Sequence, residues 1–357
     1  MRVSPPPPVL MAVWERVAEH AQFCPRDTTE GVVFQDRLWV SNAYTIDESK
    51  TAESGERDVL VRDLWSSADG VTWRCELEHT PYDGYADLVA WQGALFAVGN
   101  TVWRSEDGRS WAQVAAETPM GLRGYGEILE FKGGLWQVGG GRDVWRSADA
   151  VSWECAKSEV PWGDRYASAV AACGGSLWLL GGSTLNGPAA SPPEAGYADQ
   201  TTFNDVWRSE DGVEWACVCE RAPWQQRMWF RAAGVADQLY VFGGYSNLHK
   251  RNLGDVWSTK NGVAWEMHTD VGTPGEHSRP GAGPCWSRKC GSPLCAFFEL
   301  RSCSLHSAPR ADLRRLGGLR VDSRREREPV RRQSRQAAER RVAAAAQHTP
   351  ALIWVYL

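Results

Sequence analysis

The sequence predicts an all-β protein made of repeated four-stranded antiparallel sheets. The first observation is a phrase of the form D-V-W-R-S-x-D-G-x-x-W, which recurs five times in the 357 residues. The spacing of its two tryptophans is the same in every copy: Trp65/Trp73, Trp103/Trp111, Trp145/Trp153, Trp207/Trp215 and Trp257/Trp265. The second observation is a Leu-aromatic pair downstream of the second, closing tryptophan, as in Leu177-Trp178. Short apolar strands and turn residues that repeat together with these phrases predict the blades of a β-propeller.

Each repeat divides into four strands. In the copy that is easiest to interpret, strand one covers residues 167–172 and strand two covers residues 176–180, where Gly181-Gly182 ends it with a sharp turn. Strand three carries Trp207, and strand four starts at the closing tryptophan, Trp215. A two-residue turn that tolerates positive φ joins strands three and four in four copies: Asp69-Gly70, Asp107-Gly108, Asp211-Gly212 and Asn261-Gly262. The remaining copy has Asp149-Ala150 at this turn.

The N-terminus carries part of a further repeat. The spacing from Trp14 to Trp39 equals the spacing from Trp111 to Trp136. Residues 13–17 are therefore predicted as the fourth strand of a blade whose other strands come from the C-terminus. This arrangement predicts six blades, with the N-terminal strand closing the ring. Residues 352–356 can pair as a strand, but the same spacing past Trp265 leads to Cys290, and the repeat is lost from about residue 275.

The repeat resembles a known family. Gly-Gly after strand two, an aromatic residue on strand three and a tryptophan on strand four are similar to the kelch repeat. Over residues 12–274 the chain resembles a kelch or galactose-oxidase-type β-propeller. The S-x-D-G-x-x-W hairpin also resembles the Asp-box of sialidases, although it is one residue shorter between Asp and Trp. The resemblance implies the fold; this superfamily includes both binding scaffolds and enzymes.

The chain divides into three segments, and the last differs from the others in its charge. We expect a disordered N-terminus at residues 1–11, the propeller at residues 12–274 and an Arg-rich tail at residues 275–357. The tail has 15 Arg and one Lys against seven acidic residues, which leaves 23 basic and 37 acidic residues in the rest. Three explanations stay open: a basic arm that binds nucleic acid or an acidic surface, a helical appendage centred on residues 337–346, or an out-of-frame translation. Nucleic acid is an expected partner only if the tail is genuine.

Other sequence features predict a cytoplasmic, monomeric protein without cofactor or metal. No segment has the apolar core and cleavage site of a signal peptide, and none is long enough to span a membrane. Of the ten cysteines, Cys75, Cys155 and Cys217 each lie two positions past a closing tryptophan. This placement predicts small, buried, reduced thiols on one face of strand four.

Candidate binding residues lie where the repeat places its loops. The loops between strands two and three and the connections between blades leave the propeller on one face, the loop face. They include residues 47–58, 183–204 and 245–254. Trp162, Trp224, Trp229 and Tyr245 are candidates for a binding surface there, although packing between blades explains them equally well.

Four arginines occupy one repeat position, at a fixed spacing past a closing tryptophan: Arg26, Arg123, Arg165 and Arg227. One interpretation is a ring of guanidinium groups that binds a carboxylate, a phosphate or an acidic peptide. The other is a set of ion pairs with the aspartates that begin strand three: Asp63, Asp143, Asp205 and Asp255. The repeat that lacks the arginine also lacks the aspartate and has Thr101 instead. This paired absence favours the ion pairs.

The function expected from these features is a non-catalytic propeller that binds a protein or a small acidic ligand on its loop face. The alternative is a glycan-processing enzyme, sialidase-like or galactose-oxidase-like. The propeller's histidines occupy unrelated repeat positions, so a two-histidine copper site cannot be assigned. A sialidase-like site would use the arginines with Tyr125 or Tyr166 and Glu127, which no family motif selects. Unpaired arginines and a Tyr–Glu contact would favour the enzyme, whereas ion-paired arginines would favour binding.

Overall fold

The computed structural model describes residues 18–46, 58–184 and 200–269, except residues 19, 25, 27, 28, 124 and 236, together with two short strands near the C-terminus. The chain divides into a unit of residues 1–298 with 354–357 and a unit of residues 299–353, and the second unit lies outside the described residues. The predicted disordered N-terminus at residues 1–11, the closing strand at 13–17 and the helix at 337–346 also lie outside them.

Twenty strands of the first unit form five four-stranded antiparallel blades. Blade 1 consists of β1 (Glu30–Phe34), β2 (Arg37–Ile46), β3 (Asp58–Ser67) and β4 (Trp73–Leu77), and blade 2 of β5 (Asp87–Trp91), β6 (Ala94–Val98), β7 (Val102–Ser105) and β8 (Trp111–Ala115). Blade 3 consists of β9 (Gly126–Phe131), β10 (Gly134–Gly139), β11 (Val144–Ser147) and β12 (Trp153–Lys157), and blade 4 of β13 (Ala169–Cys173), β14 (Ser176–Ser183), β15 (Thr202–Ser209) and β16 (Ala216–Cys219). Blade 5 consists of β17 (Arg231–Val235), β18 (Gln238–Phe242), β21 (Val256–Thr259) and β22 (Glu266–Thr269), with the small hairpin β19 (Tyr245–Ser246) and β20 (Arg251–Asn252) between its second and third strands.

The predicted β-propeller is confirmed, and its blade count is corrected. The first strands of successive blades, β1, β5, β9, β13 and β17, lie next to one another and form the wall of the central channel. The described residues form five four-stranded blades rather than the predicted six. Two further strands, β23 (Cys295–Phe297) and β24 (Trp354–Tyr356), pair with each other, and β23 lies beside β1. Beyond Trp265 the sequence has no further D-V-W phrase, and its one Gly-Gly pair, Gly317-Gly318, does not follow a Leu-aromatic pair.

The fixed spacing between the paired tryptophans comes from a hydrogen-bonded hairpin. In blade 4 the Ser209 hydroxyl accepts a bond from the amide of Gly212 at 2.7 Å, and Asp211 Oδ1 accepts bonds from the amides of Val213 and Glu214, each at 2.8 Å. The indole of the closing Trp215 donates to the carbonyl of Gly212 at 3.0 Å. The aspartate and indole bonds recur in all five blades, with Asn261 replacing the aspartate in blade 5.

These hairpin hydrogen bonds lower the pKa of the aspartates that accept them. Backbone amides of Ser110 and Arg109 donate to Asp107 and lower the pKa of its carboxyl to about 2. Backbone amides of Glu214 and Val213 likewise lower the pKa of Asp211. The turn therefore holds its carboxylate in the charged form that best accepts the amide hydrogen bonds.

The hairpin tips of blades 2, 4 and 5 pack on the preceding blade. A Cβ added to Gly108, in blade 2, would lie 2.2 Å from the ring of Trp39 in blade 1. The same contact joins Gly212 to Trp136 at 2.2 Å and Gly262 to Trp178 at 2.6 Å. In these three blades the tip residue is glycine because an indole fills the space of a side chain.

A second layer of large side chains, four of them aromatic, lies on the connections between blades, at a fixed spacing past the closing tryptophan. The residues at this position are Phe23, Tyr82, Met120, Trp162 and Trp224. Trp162 contacts both tryptophans of blade 4, with ring centroids 5.7 Å from Trp207 and 4.7 Å from Trp215. Trp224 contacts Trp265 in the same way at 5.8 Å. The tryptophan-rich composition thus fills the spaces between blades.

The prediction of buried cysteines on strand four was wrong. Cys155 and Cys217 are exposed and Cys75 is half-buried. Strand four is the outermost strand of each blade, so its side chains past the closing tryptophan face solvent rather than a neighbouring sheet. Within the described residues, no helix is long and apolar enough to cross a membrane.

Replacing Trp207 with alanine is expected to reduce the free energy of unfolding by about 3–5 kcal/mol, because the indole packs on Trp162 and donates to Asp205 at 2.8 Å. Urea denaturation followed by circular dichroism measures the loss. Trp207→Phe keeps a ring in the same place and should cost less. An unchanged denaturation midpoint in Trp207→Ala would contradict the placement of this side chain between blades.

Candidate functional site

A ring of charged residues lines the central channel. One register position of the innermost strand is shared by all five blades. It is the first residue of that strand in blades 1, 2, 4 and 5 and the second in blade 3, and it lies opposite a residue of strand two. These residues are Glu30, Asp87, Glu127, Ala169 and Arg231, and their strand-two partners are Ser41, Val98, Val138, Leu180 and Phe242. Three carboxyl groups and one guanidinium therefore face one another at the same depth, and we call these four charged residues the channel ring.

Arg231 joins the channel ring across the channel. Its guanidinium contacts the carboxylate of Glu127, and its other terminal nitrogen lies 3.7 Å from Glu30. Arg231 belongs to blade 5 and Glu127 to blade 3, with blade 4 between them, so this ion pair spans the channel; Glu30 belongs to blade 1. Water still reaches the cluster, because the Arg231 side chain is 42% exposed.

The crowding of carboxyl groups in the channel ring raises the pKa of two of them. Burial, together with the nearby carboxylate of Glu127, raises the pKa of Glu30 to about 7, although Arg231 opposes this shift. Burial and the charges of Glu30 and Glu127 also raise the pKa of Asp87 well above its usual value. The charge of Glu127 raises the pKa of Arg231, which stays protonated. At neutral pH the channel ring therefore holds protons that ordinary carboxylates would release.

Four aromatic rings meet at the loop-face end of the channel, and we call them the aromatic mouth. Ring centroids lie 5.9 Å apart for Tyr125 and Tyr166, 6.2 Å apart for Tyr125 and Trp229, and 6.0 Å apart for Trp229 and Tyr245. Tyr125 leads into blade 3 and Trp229 into blade 5, so their contact also crosses the channel. Tyr125 precedes Glu127 and Trp229 precedes Arg231 by two positions, so the aromatic mouth lies on the loop-face side of the channel ring.

The backbone holds two of these rings in an unusual conformation. Tyr125 has φ of 67° and Trp229 has φ of 54°, and Ala167 takes φ of 53° at the same repeat position. A bulky side chain in the left-handed region is uncommon and costs about 1–2 kcal/mol. Such strained residues concentrate at binding and catalytic sites. Tyr125 is also 40% exposed, so the aromatic mouth is open to solvent on this side.

The four candidate arginines all form ion pairs with the aspartates of strand three. The distances are 2.6 Å for Arg26–Asp63, 2.6 Å for Arg123–Asp143, 2.5 Å for Arg165–Asp205 and 2.7 Å for Arg227–Asp255. In three pairs the aspartate also accepts a bond from the indole of strand three, as Asp255 does from Trp257 at 2.7 Å. In blade 2 the hydroxyl of Thr101 replaces the carboxylate and accepts from Trp103 at 3.0 Å. The arginines thus join the connection that precedes strand one to the aspartates at strand three, and their role in binding stays a prediction.

The structure separates the candidate aromatic residues into two groups. Trp162 and Trp224 are buried between blades, with 6% and 1% of their surface exposed. Trp229 and Tyr245 belong to the aromatic mouth together with Tyr125 and Tyr166. Of the candidate loops, residues 47–57 and 185–199 lie outside the described residues.

The channel ring was not predicted from the sequence. Glu30, Glu127 and Arg231 share one spacing past the tryptophans Trp14, Trp111 and Trp215. Asp87 takes the same place in the repeat that follows Trp73, which is two positions shorter. This spacing was a usable signal, because Ala169 is the one uncharged residue among the five.

Comparisons with known proteins support the fold alone. No protein-family model matches the chain, and no curated protein matches it. Among solved structures, the chain is similar to that of YjhT, with a TM-score of 0.52 and 12% sequence identity over 68% of this chain and 84% of that one. At this identity the likeness supports the propeller and says nothing of activity.

Proposed function

We propose that this protein is a kelch-type binding scaffold without catalytic activity, and that its ligand binds at the aromatic mouth. The observation that carries the proposal is the contact between Tyr125 and Trp229 across the channel. Aromatic side chains offer large contact areas at low conformational cost, and binding sites use them for that reason. The channel ring below supplies the few convergent polar groups that orient a ligand.

The ion pairs of the arginines support binding over glycoside chemistry. A sialidase-like site needs guanidinium groups that are free to hold a substrate carboxylate, but the Arg165 and Arg227 side chains are only 4% and 0% exposed and each pairs with an aspartate. The carboxylate of Glu127, which would assist a tyrosine nucleophile, contacts Arg231 instead. The same ion pairs also make these arginines poor receptors for a small acidic ligand.

The experiment is a ligand-observed NMR screen of a small-molecule library on the full chain, repeated with Trp229→Ala and Trp229→Phe. We expect compounds that bind the wild type to lose at least tenfold in affinity with Trp229→Ala, equivalent to about 1.4 kcal/mol. Trp229→Phe keeps a ring at the mouth and should retain most of the binding. Circular dichroism and thermal denaturation check that both variants fold.

Two outcomes would overturn the proposal. Compounds that bind all three proteins equally would place the site away from the aromatic mouth. Release of product from fluorogenic glycosides, including a sialoside, with loss of release in Tyr125→Phe, would instead support the glycan-processing alternative.

A further inference from the structure

The channel ring and the residues around it hold more carboxyl and amide oxygens than cationic groups. Glu30, Asp87 and Glu127 bring three carboxyl groups from three blades, and Arg231 brings the one guanidinium at this register position. Blade 4 contributes Ala169 there, which carries no charge. Glu30 and Glu127 contact Arg231, whose charge also acts on Asp87, so within the described channel ring three carboxyl groups share one cation.

A buried amide adds another acceptor. Gln137 is 1% exposed and lines a narrow pocket together with Asp87. Its side-chain nitrogen donates to the carbonyl of Gly139 at 2.6 Å, whereas its side-chain oxygen has no hydrogen-bond partner within the described part of the chain. The strand-two residues at this position in the other blades are apolar: Val40, Ala97, Leu179 and Val241. An unsatisfied buried acceptor is costly and needs an explanation.

The aromatic mouth lies on the loop-face side of these carboxyl groups. The faces of tyrosine and tryptophan rings attract positive charge through their quadrupoles, most strongly for tryptophan, and sets of such rings bind alkylammonium groups. Tyr125, Tyr166, Trp229 and Tyr245 come from three blades and meet at angles of 46° to 65°, so their faces point in different directions rather than forming one flat stacking platform. Faces at such angles suit a compact cation better than a flat ring.

We propose that the ligand of the aromatic mouth is an organic cation that carries an alkylammonium group. The inference rests on the proposed function and adds the chemical class of the ligand. The cation lies against Trp229 and Tyr125 and faces the channel ring. Its positive charge takes the place of a proton on the carboxyl groups, which share Arg231 as their one guanidinium.

Binding is linked to protons. Burial holds the pKa of Glu30 at about 7, and a nearby cation favours the charged carboxylate, so binding releases a proton near neutrality. The cation therefore binds more tightly as the pH rises through 7. Release of one proton predicts an affinity about tenfold higher at pH 8 than at pH 6.

The test uses three probes of one shape and different charge on the full chain: choline, its neutral carbon isostere 3,3-dimethylbutan-1-ol, and the anion 3,3-dimethylbutanoate. Isothermal titration at pH 8 and pH 6 measures each affinity. We expect choline to bind at least tenfold more tightly than the neutral isostere at pH 8, and the anion to bind weakest. The advantage of choline should shrink at pH 6.

Two substitutions with opposite charge effects separate recognition from loss of structure. Glu127→Gln removes a negative charge and should weaken choline binding severalfold, while Arg231→Gln removes the positive charge and should strengthen it. The affinity of the neutral isostere should change little in either variant. A purely structural role would weaken binding in both.

Several results would overturn the inference. If the neutral isostere binds as tightly as choline, or the anion binds more tightly, the ligand is not a cation; Trp229-dependent binding of other compounds would then leave the proposed function standing. If no probe binds while the screen yields Trp229-dependent compounds, the inference fails alone. If neither the probes nor the screen gives binding that depends on Trp229, both proposals fail.

Discussion

Gly212→Ala is expected to destabilise the protein by about 3 kcal/mol or more. The added methyl group would lie 2.2 Å from the indole of Trp136, deep between blades 3 and 4, and Gly212 has φ of 80°. Overpacking of a well-filled core costs about 1–3 kcal/mol, and left-handed backbone adds about 1–2 kcal/mol for a residue with a Cβ. Urea denaturation followed by tryptophan fluorescence measures the change.

A matched glycine separates the two contributions. Gly133 also has φ of 80°, but no heavy atom of the described residues lies within 4 Å of the position of an added Cβ. Gly133→Ala should therefore show the backbone cost alone, about 1–2 kcal/mol. Equal losses in Gly133→Ala and Gly212→Ala would show that the hairpin tip does not contact Trp136.

Blades 2 and 3 suggest how a clash between an alanine at the hairpin tip and the ring of the preceding blade is relieved. Blade 3 has Ala150 at the hairpin tip, and the preceding blade has Phe96 where the others have Trp39, Trp136 or Trp178. Ala150 and Phe96 belong to one buried cluster. The smaller ring of Phe96 thus accompanies the larger tip residue, Ala150. Combining Gly212→Ala with Trp136→Phe should restore about 1 kcal/mol or more relative to the sum of the single changes.

The repeat made most of the fold predictable. A tryptophan pair at a fixed spacing requires a rigid hairpin, and the bonds of Ser209, Asp211 and Trp215 supply that rigidity. The ion pairs between the arginines before strand one and the aspartates at strand three were predictable because blade 2 lacks both partners. The blade count was not, because it depends on residues beyond Trp265, where the repeated phrases end.

The site was harder to predict than the fold. Glu30, Glu127 and Arg231 are far apart in sequence and meet only because the ring brings blades 1, 3 and 5 around one channel. A shared repeat position marks these residues, but no local pattern predicts that they touch. The aromatic mouth has the same origin: Trp229 was a candidate as a surface tryptophan, but its contact with Tyr125 follows from curvature of the whole propeller. Repetition therefore predicts what each blade contains, and the curvature of the ring determines what blades build together.

Asp255→Ala is expected to reduce the free energy of unfolding by about 3–5 kcal/mol, because it leaves a buried guanidinium without its carboxylate. Both terminal nitrogens of Arg227 donate to Asp255 at 2.7 Å, and the Arg227 side chain is 0% exposed. The surface pair Arg146–Glu154 provides the control, since its side chains are 48% and 65% exposed. Glu154→Ala should cost less than about 1 kcal/mol in the same urea denaturation.

Blade 2 shows that a blade can fold without this ion pair, provided that both partners are absent. Thr101 keeps the bond to the indole of strand three that an aspartate accepts elsewhere. The variant that combines Asp255→Thr with Arg227→Met should therefore be more stable than Asp255→Ala, because no buried charge is left unpaired. If the double variant is the less stable one, the bonds of Arg227 to the carbonyls of Gln225 and Gly243 contribute more than the ion pair. The arginines would then act mainly by holding the loop-face backbone on which the aromatic mouth is built.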